Sequence, residues 1–209
     1  MASRTAHNQS IVSVFLALLL SAVSASAQAV RVDADEAKFD DLESPEFGGN
    51  TGTKKFRAKS WLEAEAKLRV DARGRRGGPE VKFLDRLQVN WKVAVKNPDG
   101  RGIYMLEKEV TYVNVPVGED VYAAVYLSPS TIMRITGSDR AGKGAVEAIA
   151  GTVMYNGEEV GAFNSMGGKK WWEAASVSKT DKFPLMSKSD TPFRFLWWDR
   201  YLEEEARRQ

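Results

Sequence analysis

Leu62-Glu63-Ala64-Glu65-Ala66-Lys67-Leu68-Arg69-Val70 places an apolar residue at every second position and a charged one at each position between. Successive side chains of a pleated strand point to opposite faces, so this stretch predicts a strand with one dry face and one wet face. The pattern continues after a break. Between 81 and 96, Leu87, Val89, Trp91, Val93 and Val95 point one way, and Gln88, Asn90, Lys92 and Lys96 the other. Arg73-Gly74-Arg75-Arg76-Gly77-Gly78-Pro79, between these two strands, predicts a hairpin loop by its glycines and proline.

Asn97-Pro98-Asp99-Gly100 is a turn, followed by Val- and Tyr-rich segments at 103–117 and 121–127 that Pro116-Val117-Gly118-Glu119-Asp120 separates. A short helix is expected to start at Pro129. Residues 145–155 and 159–163 flank Asn156-Gly157, a pair that accepts positive φ and therefore marks a tight hairpin. Six or seven such strands, with no crossover helices between them, predict a mainly β fold: an antiparallel immunoglobulin-like β-sandwich with a short C-terminal helical segment.

Residues 1–27 have the parts of an export signal: a polar start with Arg4 and His7, an apolar run at 11–23, and Ala25-Ser26-Ala27 before the cut. The apolar run is about 13 residues, short of the roughly 20 a membrane helix needs. The protein is therefore expected to be exported, periplasmic or extracellular after cleavage, and without a membrane span. It has no cysteine, so neither lipid attachment at a cysteine nor a disulfide is available. The whole chain carries a net charge of +2, and Arg4 leaves with the leader. This balanced charge gives no support for nucleic-acid binding, which calls for a concentrated basic face.

Behind the leader, residues 28–55 read as an acidic, flexible N-terminal arm: Asp33, Asp35, Glu36, Asp40, Asp41, Glu43 and Glu46, then a Gly-rich run, with one short edge strand near Val30. Residues 56–188 are expected to form the sandwich, and residues 189–209 a Trp-rich segment packed on it. In that segment Phe195, Trp198, Leu202 and Ala206 fall at helical spacing, with Glu203/Arg207 and Glu204/Arg208 as i,i+4 pairs.

His7, within the leader, is the only histidine, so the mature chain lacks the commonest general base, the thiol nucleophile and the usual zinc ligands. Glu107, Glu109, Glu158, Glu159 and Asp199 could furnish a carboxylate pair for glycoside hydrolysis, but they read as exposed strand faces. Asp199-Arg200 reads as an ion pair fixing the tail. The acidic arm lacks the spacing of an EF-hand. No catalytic, cofactor or metal residues are assigned, and the chain is expected to be no enzyme.

Tryptophan supplies the binding candidates. Adjacent rings on a strand point to opposite faces, so Trp171-Trp172 and Trp197-Trp198 should each put one ring in the core and one near the surface. The outer rings then serve as cover for the tail, as a protein hot spot, or as a platform for sugar rings. Arg73, Arg75 and Arg76 read as a mobile basic hairpin tip, or as a contact for an acidic partner or a lipid head group. They match neither a P-loop nor a dinucleotide fingerprint.

Six short words also carry a resemblance. Glu43-Ser44-Pro45-Glu46, Lys59-Ser60-Trp61-Leu62-Glu63, Tyr112-Val113-Asn114-Val115, Trp171-Trp172, Thr191-Pro192-Phe193 and Leu196-Trp197-Trp198-Asp199-Arg200-Tyr201 resemble a pilus-like exported family. Its members are small immunoglobulin-like proteins encoded with bacterial type IV pilus machinery. The resemblance implies a non-enzymatic cell-envelope protein with protein partners in a pilus or secretion apparatus. Self-association is a further expectation. A true pilin keeps its apolar segment, whereas this chain loses it with the leader. The competing function class is a carbohydrate-binding module.

Overall fold

The computed structural model describes residues 29–46, 55–74, 78–139 and 143–206. The leader, Arg75 and Arg76, and the partners Arg207 and Arg208 lie outside them. Among the described residues the chain is a two-layer, mainly antiparallel β-sandwich with one short α-helix.

The first sheet is built on β3 (Ser60–Arg73), the strand that the opening alternation predicted. One edge of β3 takes two short strands in succession, β1 (Ala29–Ala34) on residues 68–73 and β2 (Lys38–Glu43) on residues 60–65. Its other edge takes β6 (Asp120–Leu127), which carries the two-residue β10 (Met186–Ser187). Residues 29–43 thus supply two paired strands where residues 28–55 were expected to be a flexible arm with one edge strand. Acids suit these positions because Val30, Val32, Ala34, Ala37, Phe39 and Leu42 do the packing, leaving Asp33, Asp40, Asp41 and Glu43 in solvent.

The second sheet runs β5 (Ile103–Pro116), β4 (Phe83–Lys96), β7 (Val146–Tyr155), β8 (Glu158–Asn164), with β9 (Val177–Lys179) and β11 (Glu203–Glu204) on the outer edge of β5. Asn156 and Gly157 form the β7–β8 turn at φ 51° and 84°. β3 and β4 do not pair as a hairpin, because they lie in different sheets; residues 75–77 of the expected hairpin loop lie outside the described residues.

Leu62, Ala64, Ala66, Leu68 and Val70 meet Val89, Trp91, Val93, Val95, Leu106, Val110 and Val125 in one core. Helix α1 (Pro129–Thr136) begins at the expected proline, is capped by the Ser128 hydroxyl, and closes one end with Ile132 and Ile135. On one side of the sandwich β1 crosses β8 so closely that a Cβ on Gly161 would lie 2.4 Å from the Val32 carbonyl oxygen. On the other side the C-terminal segment bridges the two sheets.

Candidate functional site

That C-terminal segment is a strap over the first sheet. Thr191 starts it: its hydroxyl donates to the Lys188 carbonyl (2.7 Å) and accepts from the Phe193 amide, with Pro192 opening a single 3-10 turn, Pro192–Phe195. The helical segment stops there. Phe195, Trp198, Leu202 and Ala206 do not share a helix face, because residues 201–204 extend along strand edges instead. The Leu202 amide donates to the Tyr122 carbonyl of β6, and Glu203 and Glu204 pair with Val113 and Tyr112 of β5. Leu202 enters the core where the two sheets part. Glu203 accepts from Asn114, and the Glu204 carboxylate accepts the amides of Lys188 and Ser189 (2.8 and 3.0 Å). The expected salt bridges to Arg207 and Arg208 lie outside the described residues.

Beneath the strap, aromatic rings form a stack. Tyr126 lies flat against Phe193 (5.3 Å between centroids) and Phe193 against Trp197 (6.0 Å), while Trp61 meets the edge of Phe193. The Trp61 indole donates to the Ser44 hydroxyl. The stack runs from a fully buried tyrosine to a ring in solvent. Trp197 is 45 % exposed, and its neighbours Trp198 and Phe195 are 64 % and 56 % exposed. Trp197 holds φ at 54°, a left-handed conformation that costs a bulky side chain of order 1–3 kcal/mol. The backbone is therefore strained in the arrangement that displays these three rings. A groove of about 460 Å³ adjoins them, lined in part by Arg194, Phe195, Trp198 and Tyr201.

The polar anchor of the strap sits on the face of β3 that the alternation marks as wet. Glu63 is only 6 % exposed because the strap covers it. Its Oε1 is 2.6 Å from the Tyr126 hydroxyl and 2.9 Å from the Tyr201 hydroxyl, which also lies 2.7 Å from Oε2 of Glu65. Arg200 grips Glu65 with two hydrogen bonds (3.0 and 2.6 Å) and lies over the Tyr122 ring at 3.8 Å. Arg200 therefore pairs with Glu65, not with Asp199 as expected. Its sequence neighbour is out of reach of a guanidinium turned down onto the sheet. Burial raises the Glu63 pKa, and the Glu65 charge adds to the rise, against the Tyr126 and Tyr201 hydrogen bonds and the Arg200 charge. Burial and the nearby Glu63 charge likewise raise the pKa of both tyrosines. The Lys188 side chain, tucked against the Trp198 and Tyr201 rings, has its pKa lowered by desolvation.

A protein-family model matches residues 23–208. The chain belongs to that family, one of exported, pilus-associated proteins. Among solved structures, a crystal structure of a protein from Akkermansia muciniphila is similar to this chain. The two are 38% identical, with a TM-score of 0.77, over 89% of this chain and 98% of the other. A search of curated proteins finds no match. No helix among the described residues is long and apolar enough to cross a membrane.

Five of the six words behind the resemblance contribute residues to the strap and its seat: Ser44, Trp61 and Glu63, Asn114, Thr191 and Phe193, and Trp197, Arg200 and Tyr201. The sixth, Trp171-Trp172, lies elsewhere. Those two rings meet edge to face in a 3-10 turn, and Trp172 lies near Lys92 on the outer face of the second sheet. Neither pair splits into a core ring and a surface ring: Trp171 and Trp172 are both half-buried, Trp197 and Trp198 both substantially exposed. The core/surface rule assumed strands, and both pairs occupy turns. Arg73 is exposed at the end of β3, in a groove with Ala29, Arg31, Asp33 and Val117. The structure therefore does not gather the candidate residues into one site. Glu63, Glu65, Tyr126 and Tyr201 were not singled out by the sequence, where they look like ordinary strand and tail residues.

Proposed function

We propose that this protein is a non-enzymatic assembly component of the cell envelope, serving a pilus of the type IV kind or a related secretion apparatus through protein–protein contacts. Membership of an exported, pilus-associated family supports the setting. The observation that carries the contact surface is the strap. Phe195, Trp197 and Trp198 stand in solvent on a segment pinned to both sheets, with strained backbone at Trp197. Large rigid rings with few torsions to freeze are what protein hot spots are made of. A pre-organised segment also binds with less loss of freedom than a floppy one.

The test is affinity capture from native envelopes, with captured proteins identified by mass spectrometry. The wild-type mature chain is expected to retain pilus or secretion subunits, and the Trp197→Ala/Trp198→Ala double variant to lose them. Saturable quenching of tryptophan fluorescence by a glycan, lost in the same variant and with no subunit retained, would instead make the strap a sugar-binding platform.

A further inference from the structure

The Tyr201 hydroxyl has one proton and two carboxylates within hydrogen-bond distance, Oε1 of Glu63 at 2.9 Å and Oε2 of Glu65 at 2.7 Å. The Tyr126 hydroxyl spends its own proton on Glu63 at 2.6 Å. If both glutamates are ionised, one Tyr201 contact joins two lone pairs. A single added proton on Glu63 removes the conflict. Tyr126 then donates to Glu63, Glu63 to Tyr201, and Tyr201 to Glu65, which Arg200 already holds. The groups facing Glu63 are Glu65 on its own strand, Tyr126 on β6, and Arg200, Tyr201 and Lys188 on the strap side. Behind Lys188 stands Glu204.

We propose that Glu63 is a proton-operated clasp: with its proton it ties the strap to β3 through Tyr201, and on losing that proton it loosens the strap, so the aromatic surface is held fast when Glu63 is protonated and released as the pH rises. This deepens the proposed function by assigning a regulator to the same surface, and it rests on that reading. The sign follows from linkage. With the strap seated, Glu63 keeps its proton to a higher pH than a solvated glutamate, so seating takes up a proton between the two values. Stability of the seated strap is full below the ordinary glutamate value and falls as pH climbs through the raised one. Lys188 acts in the opposite sense, because desolvation lowers its pKa from the ordinary lysine value.

The experiment is amide hydrogen exchange on the isolated mature protein, corrected for the chemical exchange rate. It is read at Leu202 and Glu205, whose amides tie the strap to Tyr122 and Thr111. In wild type their protection is expected to fall by up to about tenfold per pH unit across the window between the two Glu63 values, while amides of β4 and β7 stay constant. Glu63→Gln is uncharged at every pH, and its amide nitrogen, placed where Oε1 meets both tyrosines, donates to each of them while Tyr201 donates to Glu65, so protection should be flat. Flat protection in wild type, or the same slope in Glu63→Gln, overturns the clasp. Should Glu63→Gln fail to fold, a carbon-13 carboxyl titration of wild type decides: a midpoint above the solvated range supports the clasp and an ordinary one overturns it. Flat exchange alongside intact partner capture removes the clasp alone. Sloping exchange without capture supports the clasp and removes the interface.

Discussion

Trp91 and Tyr112 put an indole N–H and a phenol O–H into the middle of the core, where the phenol interacts with Trp91 and the Ala124 backbone but neither group makes a hydrogen bond of ordinary geometry. A buried polar group without a partner costs about 1–3 kcal/mol, so removing it can help. Tyr112→Phe is expected to change stability by less than about 1 kcal/mol or to raise it, whereas Trp91→Ala should cost about 3–5 kcal/mol through the cavity it leaves. Denaturant unfolding checks both; a large loss in Tyr112→Phe would show that the hydroxyl is paired after all. Trp197 poses the opposite case. Trp197→Gly removes a half-exposed ring but also relieves left-handed strain of about 1–3 kcal/mol, so stability should move little while partner capture is lost. Glu63 shows why such residues escape a sequence reading. Alternation assigns it correctly to the outer face of β3, but that face is wet only if nothing covers it, and the covering strap lies more than a hundred residues away.

Among the elements, the central strands β3 to β8 were legible because two-residue alternation and turn residues are local signals. The pairing of residues 29–43, the placement of β3 and β4 in different sheets and the path of the tail were not, since each depends on partners distant in sequence. The strap itself invites a test at Arg200, which combines a bidentate grip on Glu65 with a ring beneath it. Lysine can make neither contact properly, so Arg200→Lys should lower stability by about 1–2 kcal/mol and reduce exchange protection at Leu202. The edge strand β5 tells of restraint. Its own chain covers it at both ends with β9 and β11, and between them Lys108 sits on the inward register beside Leu106 and Val110, paired to Asp190 at 3.1 Å. An inward charge blunts an open edge against other strands. Lys108→Val is therefore expected to promote self-association, seen as a rise in mass over wild type by light scattering; an unchanged mass would show that the edge is shielded by other means.

At the scale of the whole molecule, the sandwich presents its two tryptophan pairs on opposite outer faces: Trp171 and Trp172 over the second sheet, Trp197 and Trp198 on the strap over the first. Composition pointed towards binding because the chain has no thiol and its one imidazole is His7, and the family supplies the exported, pilus-associated setting. The sequence could not choose between the faces, since both pairs are the same dipeptide. Their difference lies in what holds them. The strap pair stands on a segment anchored to both sheets, whereas the other lies in a single 3-10 turn near Lys92. The most direct measurement is site-specific photocrosslinking in intact cells, with a benzophenone side chain at position 198 in one protein and at position 172 in another. Crosslinks to a pilus or secretion subunit from position 198 and not from 172 are the predicted result. Adducts from 172 alone, or none from 198, would contradict the assignment of the strap as the working surface.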